Sequence, residues 1–224
     1  IECLKEDKEL LTSMLPLLSR IKPTAKRPDA FVESGKNVLL LEHFQFDNSR
    51  INRKGSIQNQ TSANSDRELN NLLLQNRGEA AVSEHVDKCG AYYVENFRVQ
   101  FISHAKNIEE YKVEIQRETG RAYNRFFVGF IIEDSSPLGS VYYDRGLNCV
   151  DLLFAHEFLD LFEQTPQLDF VIFTMTGNNE NKILSFMSRN TISLHRKKQI
   201  KVSNISKFCF ENTIYGGMNL VSAD

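Results

Sequence analysis

The sequence predicts one α/β domain with a mixed central sheet flanked by helices. Two runs, "RFFVGFIIED" (125–134) and "LDFVIFTMTG" (168–177), are almost continuously apolar, as strands covered on both faces are. Apolar residues at helical spacing precede and separate them. Two arms rich in β-branched and aromatic residues flank Ser34-Gly35-Lys36-Asn37 and read as a hairpin. The 224 residues, 41% apolar and 25% charged, suffice for a sizeable core and argue against disorder. No run approaches the roughly 18 apolar residues of a membrane span, so no membrane partner is expected. No basic-then-apolar leader opens the chain, so the expected location is cytoplasmic, with any leader lying upstream of Ile1. Cys3, Cys89, Cys149 and Cys209 form no Cys-x-x-Cys pair and are expected to be reduced.

Residues 3–21 place Leu4, Leu10, Leu11, Met14, Leu17, Leu18 and Ile21 on one helical stripe, which Pro16 should kink or break. The hairpin arms follow at 27–33 and 37–47. Residues 48–64 are polar, with Gly55 and many Ser, Asn and Gln, and read as an exposed loop. Ser65 with Glu68 has capping-box spacing, so a helix should start there. Residues 91–118 read as one long helix closed by Gly120, and 149–164 as another stopped by Thr165-Pro166. "NENKILSFMSRN" (179–190) reads as a helix, and the segments beyond it as edge strands. The core spans 4–134, and 135–224 extends the same sheet with a βα unit.

With Gly35-Lys36 as a two-residue loop, residues whose numbers sum to 71 face each other, and Asp29 falls opposite Glu42. Facing carboxylates with Cβ atoms about 5 Å apart repel unless one is protonated or a cation lies between them. Mg²⁺ or Mn²⁺ takes carboxylate oxygens in this way. The alternatives are a register shifted by one residue, or a solvent edge where Arg27 neutralises Asp29.

Pro28-Asp29, a turn, the strand "VLLL" and Glu42 resemble the PD-(D/E)xK nuclease superfamily. The resemblance covers about Leu4 to Glu133. It implies a restriction-endonuclease-like α-β-β-β-α-β core, Mg²⁺ or Mn²⁺ held by Asp29 and Glu42, and phosphodiester hydrolysis in DNA. Glu9, or Glu6, on the opening helix would supply the further acid some members use. The position two residues after the glutamate, a lysine in the family, is Phe44. Gln45, Lys54 and Lys112 are the candidate substitutes; failing them, the scaffold is a non-catalytic nucleic-acid- or protein-binding module. An unrelated α/β protein whose hairpin acids face solvent is the third reading.

Charge is segregated along the chain. Residues 181–210 hold seven basic residues and no acid, and 133–169 hold eight acids against Arg145 alone. Arg50, Arg53 and Lys54 in the polar loop, with Arg196, Lys197, Lys198 and Lys201, are the candidate phosphate contacts. His156 and Asp160 have the i, i+4 spacing of a zinc helix but lack its second histidine, so a helix-surface hydrogen bond is expected. "TGNNENK" (176–182) reads as a plain turn. Glu133 and Asp134 end a buried strand, where they either join a site or cap the turn. His85, His104 and His195 stand singly and read as surface or core histidines.

Overall fold

The structure is a computed structural model. It describes residues 2–24, 28–47, 49, 51–52, 55–76, 84–85, 88–135, 143–144, 147–148, 156–176, 182–198, 209–210 and 214–215. In chain order the elements are β1 (Glu2–Cys3), α1 (Lys5–Leu18), β2 (Lys22–Pro23), β3 (Ala30–Ser34), β4 (Asn37–Phe46), β5 (Ile51–Asn52), β6 (Gly55–Ser56) and α2 (Ile57–Asn76). Then come β7 (Glu84–His85), β8 (Lys88–Cys89), α3 (Gly90–Lys106), α4 (Ile108–Thr119), β9 (Arg125–Asp134), β10 (Tyr143–Asp144) and β11 (Leu147–Asn148). The last are α5 (His156–Glu163), β12 (Phe170–Thr176), β13 (Lys182–Ser188), a 3₁₀ turn (Arg189–Thr191), α6 (Ile192–Lys198), β14 (Cys209–Phe210) and β15 (Ile214–Tyr215). No helix among the described residues is long and apolar enough to cross a membrane.

The chain divides into two compact units, 1–46 with 97–203, and 47–96 with 204–224. The second unit contains α2 and three two-stranded pairs, β5–β6, β7–β15 and β8–β14. Within it, the Asn96 amide donates to the carbonyls of Asp47 (2.8 Å) and Ser49 (2.6 Å).

The first unit holds a mixed sheet in the order β1-β13-β12-β9-β4-β3-β2, whose body is the five strands β13, β12, β9, β4 and β3. β4 pairs antiparallel with β3 and parallel with β9, and β9 pairs parallel with β12. These two parallel crossovers run through helices, as parallel pairing requires. Against one sheet face, α1 buries Leu11 and Met14 on Val32, Leu39, Leu41, Phe170 and Phe186. On the other, Phe44, Phe46 and Phe130 meet Phe97 and Phe101 of α3, which in turn pack on Phe158 of α5. Alternate residues of β4 therefore serve two different cores.

Four local expectations are corrected. Within 179–190, expected to be helical, Lys182–Ser188 form β13, antiparallel to β12 and flanked by β1, with Ser185 to Ser188 all buried. Covered on both sides, its apolar run carries no periodicity to separate strand from helix. In the basic stretch after it, Ile192–Lys198 form α6 rather than an edge strand. Helix α2 starts at Ile57, eight residues before Ser65, so the polar loop is shorter than expected. No Gly or Pro interrupts 57–76, and Ser, Asn and Gln each cost a helix only tenths of a kcal/mol, about 0.5. The long helix is divided at Asn107 into α3 and α4 and ends, as expected, at Gly120 with φ of +64°. Pro16 lies inside α1, which continues to Leu18. Residues 149–155 lie outside the described residues, and 156–163 are helical as expected.

Two contacts fix β9 and α5. The ring of Phe170 lies over Gly129, so a Cβ there would stand 2.1 Å from the ring. The Arg189 guanidinium donates to the carbonyls of Leu168 (2.7 Å), Phe162 (2.8 Å) and Thr165, satisfying acceptors at the end of α5. Gly129→Ala should therefore destabilise the fold by about 1–3 kcal/mol through overpacking, read as a lower urea midpoint with an unchanged slope.

Candidate functional site

The hairpin has the register the loop length dictates, with Ser34 facing Asn37, Val32 facing Leu39 and Ala30 facing Leu41. Gly35 takes φ of +63°, the left-handed conformation its place in the turn demands. Asp29 and Glu42 follow at the next position and are interlocked. The Asp29 amide donates to Glu42 Oε2 at 3.1 Å, and the His43 amide donates to Asp29 Oδ2 at 2.7 Å.

The second bond follows from strand chemistry. In a two-residue hairpin the closing pair is hydrogen-bonded and every second pair repeats it, so His43 turns its N–H toward Pro28. The Pro28 carbonyl is occupied by the Thr24 hydroxyl. The Asp29 carboxylate takes its place in the ladder and remains exposed.

Glu42 is only 1% exposed. Its Oε1 accepts from the Tyr111 hydroxyl at 2.8 Å and faces His104 Nδ1 at 2.8 Å. Burial pushes its carboxyl up, but the bonds from His104, Tyr111 and the Asp29 amide outweigh burial and hold it below its ordinary value of 4.5. Glu42 is thus a buried anion, bonded by the Asp29 amide just before β3 and by donors from α3 and α4. Phe44, on the same face, is 4% exposed and packs on Phe101, Phe130 and His104.

The opposite face of β4 carries a second polar group. His43 Nε2 lies 3.0 Å from Glu133 Oε2, to which the Gln45 amide also donates at 2.9 Å. Gln45 therefore points away from Glu42. Glu133 belongs to this cluster at the strand ends, and Asp134 is buried one residue further on.

Glu9 is not brought to the pair. It is exposed on α1, across the sheet from Glu42, as is Glu6. Lys112 bonds Glu109 at 2.7 Å. Arg196 is held by Asp160 (2.6 Å) and Glu163 (2.7 Å) of α5, so its charge is already compensated within the chain. Asp160 therefore partners Arg196, whereas the expected hydrogen bond was to His156. Lys197 is exposed on α6, which Lys198 closes. Arg50, Arg53, Lys54, Lys201 and most of the 176–182 turn lie outside the described residues. No group of three metal-ligating side chains occurs among the described residues.

His195 Nε2 lies 3.5 Å from Asp7 Oδ2, an ion-pair separation, and both side chains are buried. The Asp7 carboxylate also accepts from the Ser188 amide (3.1 Å) and the Thr191 hydroxyl (2.7 Å). Burial raises its carboxyl, but His195, Ser188 and Thr191 together bring it below its ordinary value. The sequence signal for His104 and Tyr111 was their place on the stripe Phe97, Phe101, Ile108 and Ile115, where a polar atom must find a partner.

Because folding lowers the Glu42 carboxyl, its contribution to stability is present above 4.5 and drains away as pH falls through the lower folded value. Glu42→Gln should flatten the acid limb of the stability-versus-pH curve. Tyr111→Phe should cost about 1.5–3 kcal/mol near neutral pH, as loss of a buried bond to a charged acceptor does. Denaturant titration of both variants across the acid range checks this.

No family model, curated protein or solved structure matches the chain.

Proposed function

We propose that the chain is a metal-dependent nuclease that hydrolyses phosphodiester bonds in DNA, with Asp29 and Glu42 as its acidic pair. The observation carrying this reading is the interlock of the two residues, each bonded to the backbone of the other's strand. Along the chain α1 and then β2, β3 and β4 come before α2, α3, α4 and β9, with the short strands β5 to β8 between them, an order in keeping with the α-β-β-β-α-β core that the resemblance implies.

The donor set fits a hard divalent ion that keeps most of its waters. Mg²⁺ is commonly held by one or two carboxylates plus substrate phosphate, so a third protein ligand is not required. Asp29 is exposed, and its Oδ1 makes no hydrogen bond among the described residues. Glu42 is kept ionised, as a ligand must be. Such an ion, when bound, polarises a phosphoryl oxygen and acidifies water. The chain's own groups orient the pair: the His43 amide fixes Asp29, the Asp29 amide fixes Glu42 Oε2, and Tyr111 with His104 fixes Oε1. Exposed basic residues such as Lys197 would take flanking phosphates, adding affinity rather than sequence choice.

A second reading, a non-catalytic binding module on the same scaffold, is favoured by the near-complete burial of Glu42 and by Phe44 in the aromatic core. Plasmid incubation with Mg²⁺ or Mn²⁺ decides between them. The nuclease should nick or linearise DNA, with EDTA abolishing cleavage and Asp29→Ala or Glu42→Ala lowering it on the order of 10²-fold or more. Cleavage that survives both substitutions removes the site assignment. A wild-type protein that neither cleaves nor takes up Mn²⁺ in calorimetry leaves the binding module.

A further inference from the structure

The outermost strand, β2, covers only part of β3, pairing Lys22 with Phe31 and Pro23 with Ala30. Continued by two residues, the same register would set Arg20 opposite Glu33. The chain turns away instead, and the Arg20 and Ile21 amides donate to the carbonyls of Leu17 (3.0 Å) and Leu18 (3.3 Å) at the end of α1. In the hairpin Ser34 and Val32 belong to the hydrogen-bonded pairs, so Glu33 turns its N–H and C=O away from β4 toward the uncovered edge. Neither finds a backbone partner among the described residues. A groove of about 810 Å³ lies where a further strand would run, within the roughly 300–1,000 Å³ of ligand-binding clefts. It straddles the edge. Ser19, Arg20 and Ile21, which follow α1, line one side, and Phe31, Glu33 and Glu118 of α4 line the other.

The two sides carry opposite charge. Glu33 Oε1 accepts from Arg121 at 3.0 Å and from the Tyr123 hydroxyl, which leaves Oε2 without a hydrogen bond among the described residues. Arg20 and Glu118 are exposed, and neither has an ion-pair partner among the described residues. We propose that the groove docks an extended peptide segment of another protein, which adds a strand beside β3 with a Lys or Arg side chain toward Glu33 and Glu118 and an adjoining Asp or Glu toward Arg20. Successive side chains of a strand point to opposite faces, so a basic residue next to an acidic one matches both sides at once. The Glu33 N–H and C=O supply the backbone rung, and Ile21 and Phe31 offer apolar surface to the residues beside the pair. Only this rung is open, since Ser34 already bonds Asn37 at the turn, so the affinity is modest, with a Kd of roughly 0.1–1 mM. The docking uses none of the groups around Asp29 and Glu42 and stands apart from the nuclease reading.

The probe is an end-blocked octapeptide of alternating valine and threonine with Lys-Glu at its centre, titrated into isotope-labelled protein while backbone amide NMR signals are followed. The Glu33 amide should shift, and its hydrogen exchange should slow about 10-fold when the peptide stands at about 10 times its Kd. Glu118→Lys and Arg20→Glu change exposed side chains, so both should keep the melting temperature of wild type. Each should weaken binding roughly fivefold, and Glu118→Lys should regain affinity for a peptide whose central pair is Glu-Glu. Glu33→Pro removes the outward donor, which an edge strand tolerates, and should abolish binding, whereas Glu33→Gln keeps the rung and should retain most of it. Should Glu33→Pro fail to fold, amide exchange in the wild type decides. An unshifted Glu33 amide at about 5 mM peptide overturns the proposal, as does binding that both charge reversals leave within about twofold of wild type. A Glu33 amide already protected in concentrated protein without peptide, together with a dimer in sedimentation, assigns the edge to a second copy of the chain and overturns it as well.

Discussion

A carboxylate buried in the middle of a sheet governs this structure. Removing an ion from water costs several kcal/mol even after the protein relaxes, and the cost is met only where donors are already in place. Glu42 finds them on three elements separated in sequence, and each is held in place by its own packing. The Asp29 amide is set by the hairpin turn, His104 by its stack on Phe44, and Tyr111 by its burial on α4. The aromatic core on this face and the ionised acid therefore depend on one another. Loosening the rings releases the donors, and losing the donors leaves an uncompensated charge among the rings.

Much of the fold was legible because local chemistry agreed with it. Gly35 fixed the hairpin length, the length fixed the register, and the register brought Asp29 beside Glu42. The apolar run of 125–134 is β9, and Gly120 ends the helix before it. Legibility failed where a segment's state is set by neighbours rather than by its own pattern. Ile183 to Ser188 form a strand because β12 and β1 lie on either side. The partners of Glu42 were beyond local reading, since His104 and Tyr111 stand 62 and 69 residues away. Sequence spacing pointed at the second acid but not at what would hold it.

The separation of charge along the chain has an internal explanation where it is described. Arg196 of the basic stretch meets Asp160 and Glu163 of the acidic one, joining α6 to α5. Arg189 binds carbonyls at the end of α5 and stacks on Phe162 with 4.9 Å to its ring centroid. Oppositely charged segments far apart in sequence thus meet as neighbouring helices. A run of lysines and arginines is a weak sign of a polyanion when its complement lies on the next element.

The edge strand β2 ends in a residue that cannot donate a backbone hydrogen bond. Open sheet edges invite a strand from another molecule, and proline on the outermost strand blunts that invitation. Pro23 thus leaves the outer rim of β2 with one donor fewer to offer an incoming strand. Replacing it with valine, a strong strand former, would restore the missing donor and leave an adhesive rim on an otherwise well-folded chain.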